Sequence, residues 1–223
     1  MLVALWIVAA GLGAVVTRIK AGKLMVAIAG ITAIICGALL ALFTRAGAWI
    51  WIWFPLTILV WTALWWWSKK IGPKWTITAW IIGIVGAVLL AAFGSGVLAD
   101  FPKPWPLLLG GLGALTLLLE PSNDLCRAVL DVSKAVKTPN ENNNGTLKGG
   151  RIIGPLERIL LVVLGLADAL GIVVALIAAK GIIRFPEISA DNKGGNKAEE
   201  FLIGSFVSWG IALLMTFALR FIA

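Results

Sequence analysis

An all-α, polytopic transmembrane bundle of about seven spans is the fold class that this sequence of 223 residues predicts. Hydrophobic residues make up 60% of the chain and charged residues only 13%, with a mean hydropathy of +0.98, so its solvent is mostly lipid. Seven apolar stretches approach the roughly 20 residues that a hydrocarbon core about 30 Å thick demands. Most connections between them are brief, which predicts one integral membrane domain over 1–223.

The first stretch, residues 2–17, lacks the basic start of a signal peptide and reads as a retained span. The second, 24–43, repeats Ala29, Ala33, Gly37 and Ala41 on one ridge, and 75–99 does the same with Gly83, Ala87 and Ala91. Such ridges let helices approach closely. The span 48–67 carries Trp49, Trp51, Trp53 near one end and Trp61, Trp65, Trp66, Trp67 near the other, a pattern expected of two interfacial belts. Pro55 is expected to kink it. A short fifth stretch, 105–119, needs flanking residues in the interface.

Residues 120–155 are the least lipid-like part. SNDLCRAVLDVSKAVK offers Ser122 as an N-cap and a stripe of Leu125, Val129, Val132 and Val136, which predicts a cytoplasmic interfacial helix. TPNENNNGTLKGG then reads as a flexible linker. Pro155 suits the first position of the next helix, and Glu157 suits the positive end of its dipole.

That next stretch is 156–179, and from residue 160 onward its one charged residue is Asp168. As a single helix it places Asp168 near the midplane, facing the bundle interior and bonded to a hydroxyl such as Ser205, Ser208, Thr57, Thr62 or Thr116. As a hairpin turning at Leu-Ala-Asp-Ala-Leu, it makes Asp168 a turn residue and raises the span count to eight. Each half would then have only about 15 residues, roughly 22 Å of helix, which favours the single span. The last stretch, 201–222, repeats Gly204, Ser208 and Ala212.

Basic residues outside the seven spans divide 13 to 6 between the two sides, which places the N-terminus outside and the C-terminus inside. The hairpin improves that division to 16 against 3. The net charge of +8 is therefore a topology signal, and no nucleic-acid partner is implied. The chain has no His and no Tyr, which removes imidazole metal sites and His-based catalysis. Cys36 and Cys126 form no metal motif, and no cofactor is implied.

The run GGRIIGPLERILLVVLGLADALGIVVALIAAKGIIRFPE, followed by AEEFLIGSFVSWGIALL, resembles a group of uncharacterised bacterial polytopic membrane proteins common in actinobacteria. The shared positions are Gly150, Arg151, Gly154, Glu157, Arg158, Lys180, Arg184, Phe185, Glu187, Glu200, Gly204 and Ser208, in the last third of the chain. The resemblance implies the bacterial inner membrane and brings no activity with it.

Three functional readings follow. A non-enzymatic module would bind or move an anionic lipid or lipid-linked phosphate through Arg151, Arg158, Lys180 and Arg184. These lie at the two ends of one helix, so only the hairpin unites them at one head group. A structural partner in a cell-envelope complex, binding other membrane proteins or itself, would use the small-residue ridges and the Trp-rich span. A lipid-modifying enzyme would have to rely on Asp168, Glu157 and Glu187, with no metal cluster to assist them.

Overall fold

The computed structural model describes residues 2–16, 48–94, 105–133, 150–189 and 196–223. Among them every regular element is helical. The helices are α1 (Leu2–Val16), α2 (Ala48–Ile71), α3 (Pro73–Gly94), α4 (Trp105–Leu118), α5 (Glu120–Ser133), α6 (Gly150–Leu166), α7 (Leu170–Ser189) and α8 (Asn196–Ile222). The expected span at 24–43 with its ridge, Cys36 and the linker after α5 lie outside the described residues.

The chain reverses between α2 and α3 on one residue, Gly72, at a φ of 142° that a side chain would not tolerate. Its N–H donates to the Ser68 carbonyl at 3.0 Å, and Thr76 closes the turn by donating to Ser68 Oγ at 3.4 Å. Two other buried hydroxyls donate to their own helix. Thr62 bonds the Ile58 carbonyl and Thr216 that of Ala212, each at 2.9 Å, which spares the apolar interior an unpaired donor.

Helices α1 and α4 run side by side in the same direction, closer than side chains normally permit. A Cβ on Gly113 would lie in the Ile7–Val8 backbone, 2.6 Å from the Ile7 carbonyl carbon. One turn further out, a Cβ on Gly110 would sit 3.6 Å from Ala4 and 3.2 Å from Leu219 and Ile222. The first turns of α1 and the last turns of α8 therefore share one end of the bundle.

The Trp-rich helix is also corrected in part. Trp61 and Trp65 form no belt: they are buried at 2% and 0% exposure and stack with centroids 5.5 Å apart. Trp6 meets Trp61 edge-on at 6.2 Å. Gly83 admits this cluster to α3, since a Cβ there would be 2.6 Å from Trp61 Cδ1. Trp66 and Trp67 stay nearer the α2 end, where Lys70 Nζ lies 3.8 Å over the Trp66 ring and Trp67 stacks on Trp75.

The largest correction concerns 156–179. It is not one helix: α6 ends at Leu166, α7 begins at Leu170, and Asp168 sits between them at a φ of 55°. The chain folds back there, because Lys180 and Glu157 touch. In a continuous helix 23 residues would separate them by about 34 Å. A short left-handed turn suits Asp better than most residues. Helix α6 also starts earlier than expected, at Gly150, which leaves Pro155 inside it. Likewise α5 starts at Glu120, so Ser122 is no N-cap and instead donates to the Leu117 carbonyl at 2.6 Å.

Gly113→Ala separates close approach from propensity. Propensity alone would stabilise α4 by about 1 kcal/mol. The clash with the α1 backbone is expected to reverse the sign and cost about 1–3 kcal/mol, read by thermal unfolding in detergent. A higher melting temperature would show that α1 and α4 are not in backbone contact.

Candidate functional site

The polar centre is built on two successive residues of α6 that face different neighbours. Arg158 is 1% exposed, and all five of its N–H groups find acceptors. Nε donates to the Leu118 carbonyl at 2.9 Å, and Nη2 donates to the Leu119 carbonyl at 3.2 Å and to Asn123 Oδ1 at 2.6 Å. Nη1 donates to Ser208 Oγ at 3.2 Å and lies 4.0 Å from Cys126 Sγ. The two carbonyls end α4, where the helix dipole is negative, so a cation is favoured there without a carboxylate.

Glu157, one residue back, turns to α7 and α8. Its Oε2 lies 2.5 Å from Lys180 Nζ, and its Oε1 accepts from Trp209 Nε1 at 3.0 Å. Lys180 also stands over the rings of Trp209 and Phe201, 5.4 and 5.8 Å from their centroids. The Lys180 side chain keeps 25% exposure and the Glu157 side chain 10%, so the cation is the accessible partner of the pair. With three N–H donors, Lys180 retains capacity for an anion beside Glu157.

Arg184 lies one turn beyond Lys180 and is half-buried. Arg151 occupies the first turn of α6, which the hairpin register sets beside the last turns of α7. Arg151 and Arg184 thus belong to the half of the α6–α7 hairpin away from its turn, and Lys180 lies midway along it. Arg158, the fourth predicted head-group residue, does not join them. Its donors are spent on α4, α5 and α8, and no solvent reaches it.

Asp168 does not face the bundle interior. It is exposed at the opposite end of the hairpin, where its Oδ1 accepts from Arg220, which also donates to the Gly165 carbonyl at 2.8 Å. None of the hydroxyls proposed for it is its partner: Ser208 serves Arg158, Thr62 the Ile58 carbonyl and Thr116 the Gly113 carbonyl. Among the described residues no group of His, Cys, Asp or Glu could hold a metal ion.

No protein-family model, curated protein or solved structure matches the chain. The feature that sequence reasoning missed is Asn123, Ser208 and the α4 carbonyls converging on Arg158. The one signal for it is an arginine, next to Glu157, at the head of an apolar stretch.

Burial pushes the Cys126 thiol above its usual range, and the charges of Arg158 and Lys180 offset this only in part. At neutral pH Cys126 is expected to react with maleimide far more slowly than an exposed thiol, and to do so on unfolding. Arg158→Lys is expected to cost about 2–4 kcal/mol in thermal unfolding, because an ammonium cannot reach five acceptors in fork geometry. Asp168→Gly should be close to neutral, whereas Asp168→Val should cost about 1–2 kcal/mol for the left-handed φ. Equal effects of Gly and Val would argue against the turn.

Proposed function

We propose that this chain is a multi-pass protein of the bacterial inner membrane, of the polytopic kind its last third resembles. It binds the head group of an anionic lipid or lipid-linked phosphate in the inner half of the α6–α7 hairpin. The membrane reading is supported by an inverted distribution of polarity. Ile81, Val85 and Val88 on α3, Leu108 and Leu112 on α4, and Leu213, Phe217 and Phe221 on α8 are exposed. Arg158, Ser68, Ser122, Ser208 and Thr62 are buried. Water would favour the reverse arrangement.

Among the described residues, Ala198–Ile222 is long and apolar enough to cross a bilayer by length and composition. Val3–Ala14, Leu56–Ser68, Pro73–Leu89 and Pro106–Leu118 are shorter apolar helices. With the hairpin, the basic residues divide 16 to 3, which favours both termini outside and the α6 start inside.

The head-group reading rests on one observation, the Lys180–Glu157 contact that folds α7 back on α6. It brings Arg184 into the same half of the hairpin as Arg151, with Lys180 midway along it, and a phosphate could take Lys180 as its central partner and displace little. The chemistry is binding: the acids Glu157 and Asp168 are both engaged by cations, and neither is placed as a general acid. Glu187 is in α7, and its side chain lies outside the described ones.

A second reading, a partner in an envelope complex, is favoured by α7. Ile182, Ile183 and Phe185 on it are 72%, 73% and 66% exposed, and Gly171 and Gly181 have open space around them. Such a helix can receive a neighbouring span.

Phosphatidylglycerol retained by the purified protein, measured by native mass spectrometry, is expected to fall about fivefold for Arg184→Gln, and similarly for Arg151→Gln. Unchanged retention in both would reject the head-group site. For topology, a single cysteine at Ser189 in a background free of Cys36 and Cys126 is expected to resist an impermeant maleimide until cells are permeabilised. Labelling of Ser189 from outside would overturn the orientation.

A further inference from the structure

The corner between α2 and α3 is basic and has no acid of its own. Residues 1–99 hold no Asp and no Glu, although seven Lys and Arg lie among them. Lys70 and Lys74 flank Gly72, two residues away on either side, and both are exposed. Among the described residues no carboxylate pairs with either of them. Lys70 Nζ rests 3.8 Å over the Trp66 ring, which holds the ammonium in place and leaves its three N–H donors for oxygen acceptors.

The same corner exposes apolar surface. Trp67 and Trp75 stack across the turn with centroids 6.3 Å apart, and they remain 54% and 43% exposed. Their spacing is fixed from behind, where the buried Ser68 and Thr76, the next residue along each helix, bond to one another.

Water is a poor neighbour for two exposed indoles, and hydrocarbon is a poor one for two ammonium groups. The head-group layer meets both demands, because indoles settle at that depth and the anionic leaflet draws lysines to its phosphates. A free phosphate would answer the lysines and leave the indoles in water. An anionic phospholipid answers both, with phosphate to the ammonium groups and glycerol and upper acyl chain to the rings.

We propose that the α2–α3 corner binds an anionic phospholipid of the inner leaflet, its phosphate held by Lys70 and Lys74 and its glycerol and upper acyl chain lying on the Trp67–Trp75 pair. This rests on the membrane reading and its orientation, and it is separate from the head-group site of the α6–α7 hairpin, which uses other residues.

The test counts phosphatidylglycerol and phosphatidylcholine retained by the full chain from mixed micelles, by native mass spectrometry, which separates protein with one bound lipid from protein with two. In Arg184→Gln, where the hairpin site is weakened, phosphatidylglycerol is expected to stay bound in preference to phosphatidylcholine. Adding Lys70→Gln with Lys74→Gln is expected to lower its affinity about 25-fold, or fivefold for each lysine, the equivalent of about 1 kcal/mol per cation at an anionic surface. Lys70→Arg with Lys74→Arg is expected to preserve it. Trp75→Ser is expected to weaken it with both lysines in place. Lys70 and Lys74 are exposed, so their substitution leaves the fold intact.

Equal retention by the Gln pair and the Arg pair would overturn the proposal, as would equal retention of the two lipids by the Arg184→Gln protein. Displacement of phosphatidylglycerol by inorganic phosphate, or no effect of Trp75→Ser, would overturn the phospholipid as occupant. Retention that falls with the two lysines and not with Arg184→Gln would support the corner and defeat the hairpin site; the reverse result would defeat the corner alone.

Discussion

A guanidinium with no carboxylate to pair with holds three parts of this bundle in register. Moving Arg158 out of water is expensive, and the cost is offset only if every donor is met. Five acceptors meet them, drawn from the end of α4, from Asn123 and Cys126 on α5 and from Ser208 on α8. The α4–α5 junction is the part most dependent on this. Its terminal carbonyls would otherwise face an apolar interior, and the charge that satisfies them is attracted by the helix dipole they create.

Glu157 extends the same logic to the opposite side of α6. Successive residues on a helix point about 100° apart, so Arg158 can reach α4, α5 and α8 while Glu157 reaches Lys180 and Trp209. That second set of contacts is what docks α7. The hairpin thus rests on an ion pair 23 residues apart, midway along its two helices, and on an Asp168–Arg220 contact at the turn. The turn pair is exposed and worth little. The half-buried pair, reinforced by the Trp209 indole, sets the register. The polar groups that organise the bundle are therefore internal, and the surface is left apolar.

This arrangement separates a charged region from an apolar one. Lys180 remains accessible midway along the hairpin, while an indole-lined cavity lies toward α1 and α3 and is lined by no charged residue. Helix α8 borders both.

Composition and segment length were enough to establish that the chain is helical and rich in long apolar stretches, because those properties are local. The bounds of α1 and α4 and the end of α8 were legible for that reason, and the small residues Gly83, Ser208 and Ala212 did mark close packing. The α1–α4 contact through Gly113 escaped notice, since a glycine in a membrane stretch has many uses and only its neighbour distinguishes them.

The break at Asp168 was visible as an alternative but not decidable. Each half-helix looked too short to span, and the argument that overrules this lies elsewhere, in Lys180 reaching Glu157. The role of Arg158 was misread for the same reason. Its sequence neighbours resemble a head-group cluster, whereas its acceptors come from positions 32 to 50 residues away. Sequence by itself determined which stretches are helical and apolar. Only the tertiary structure decided which charges meet, because an ion's partner is set by distance in space and a helix direction reverses on a single left-handed residue.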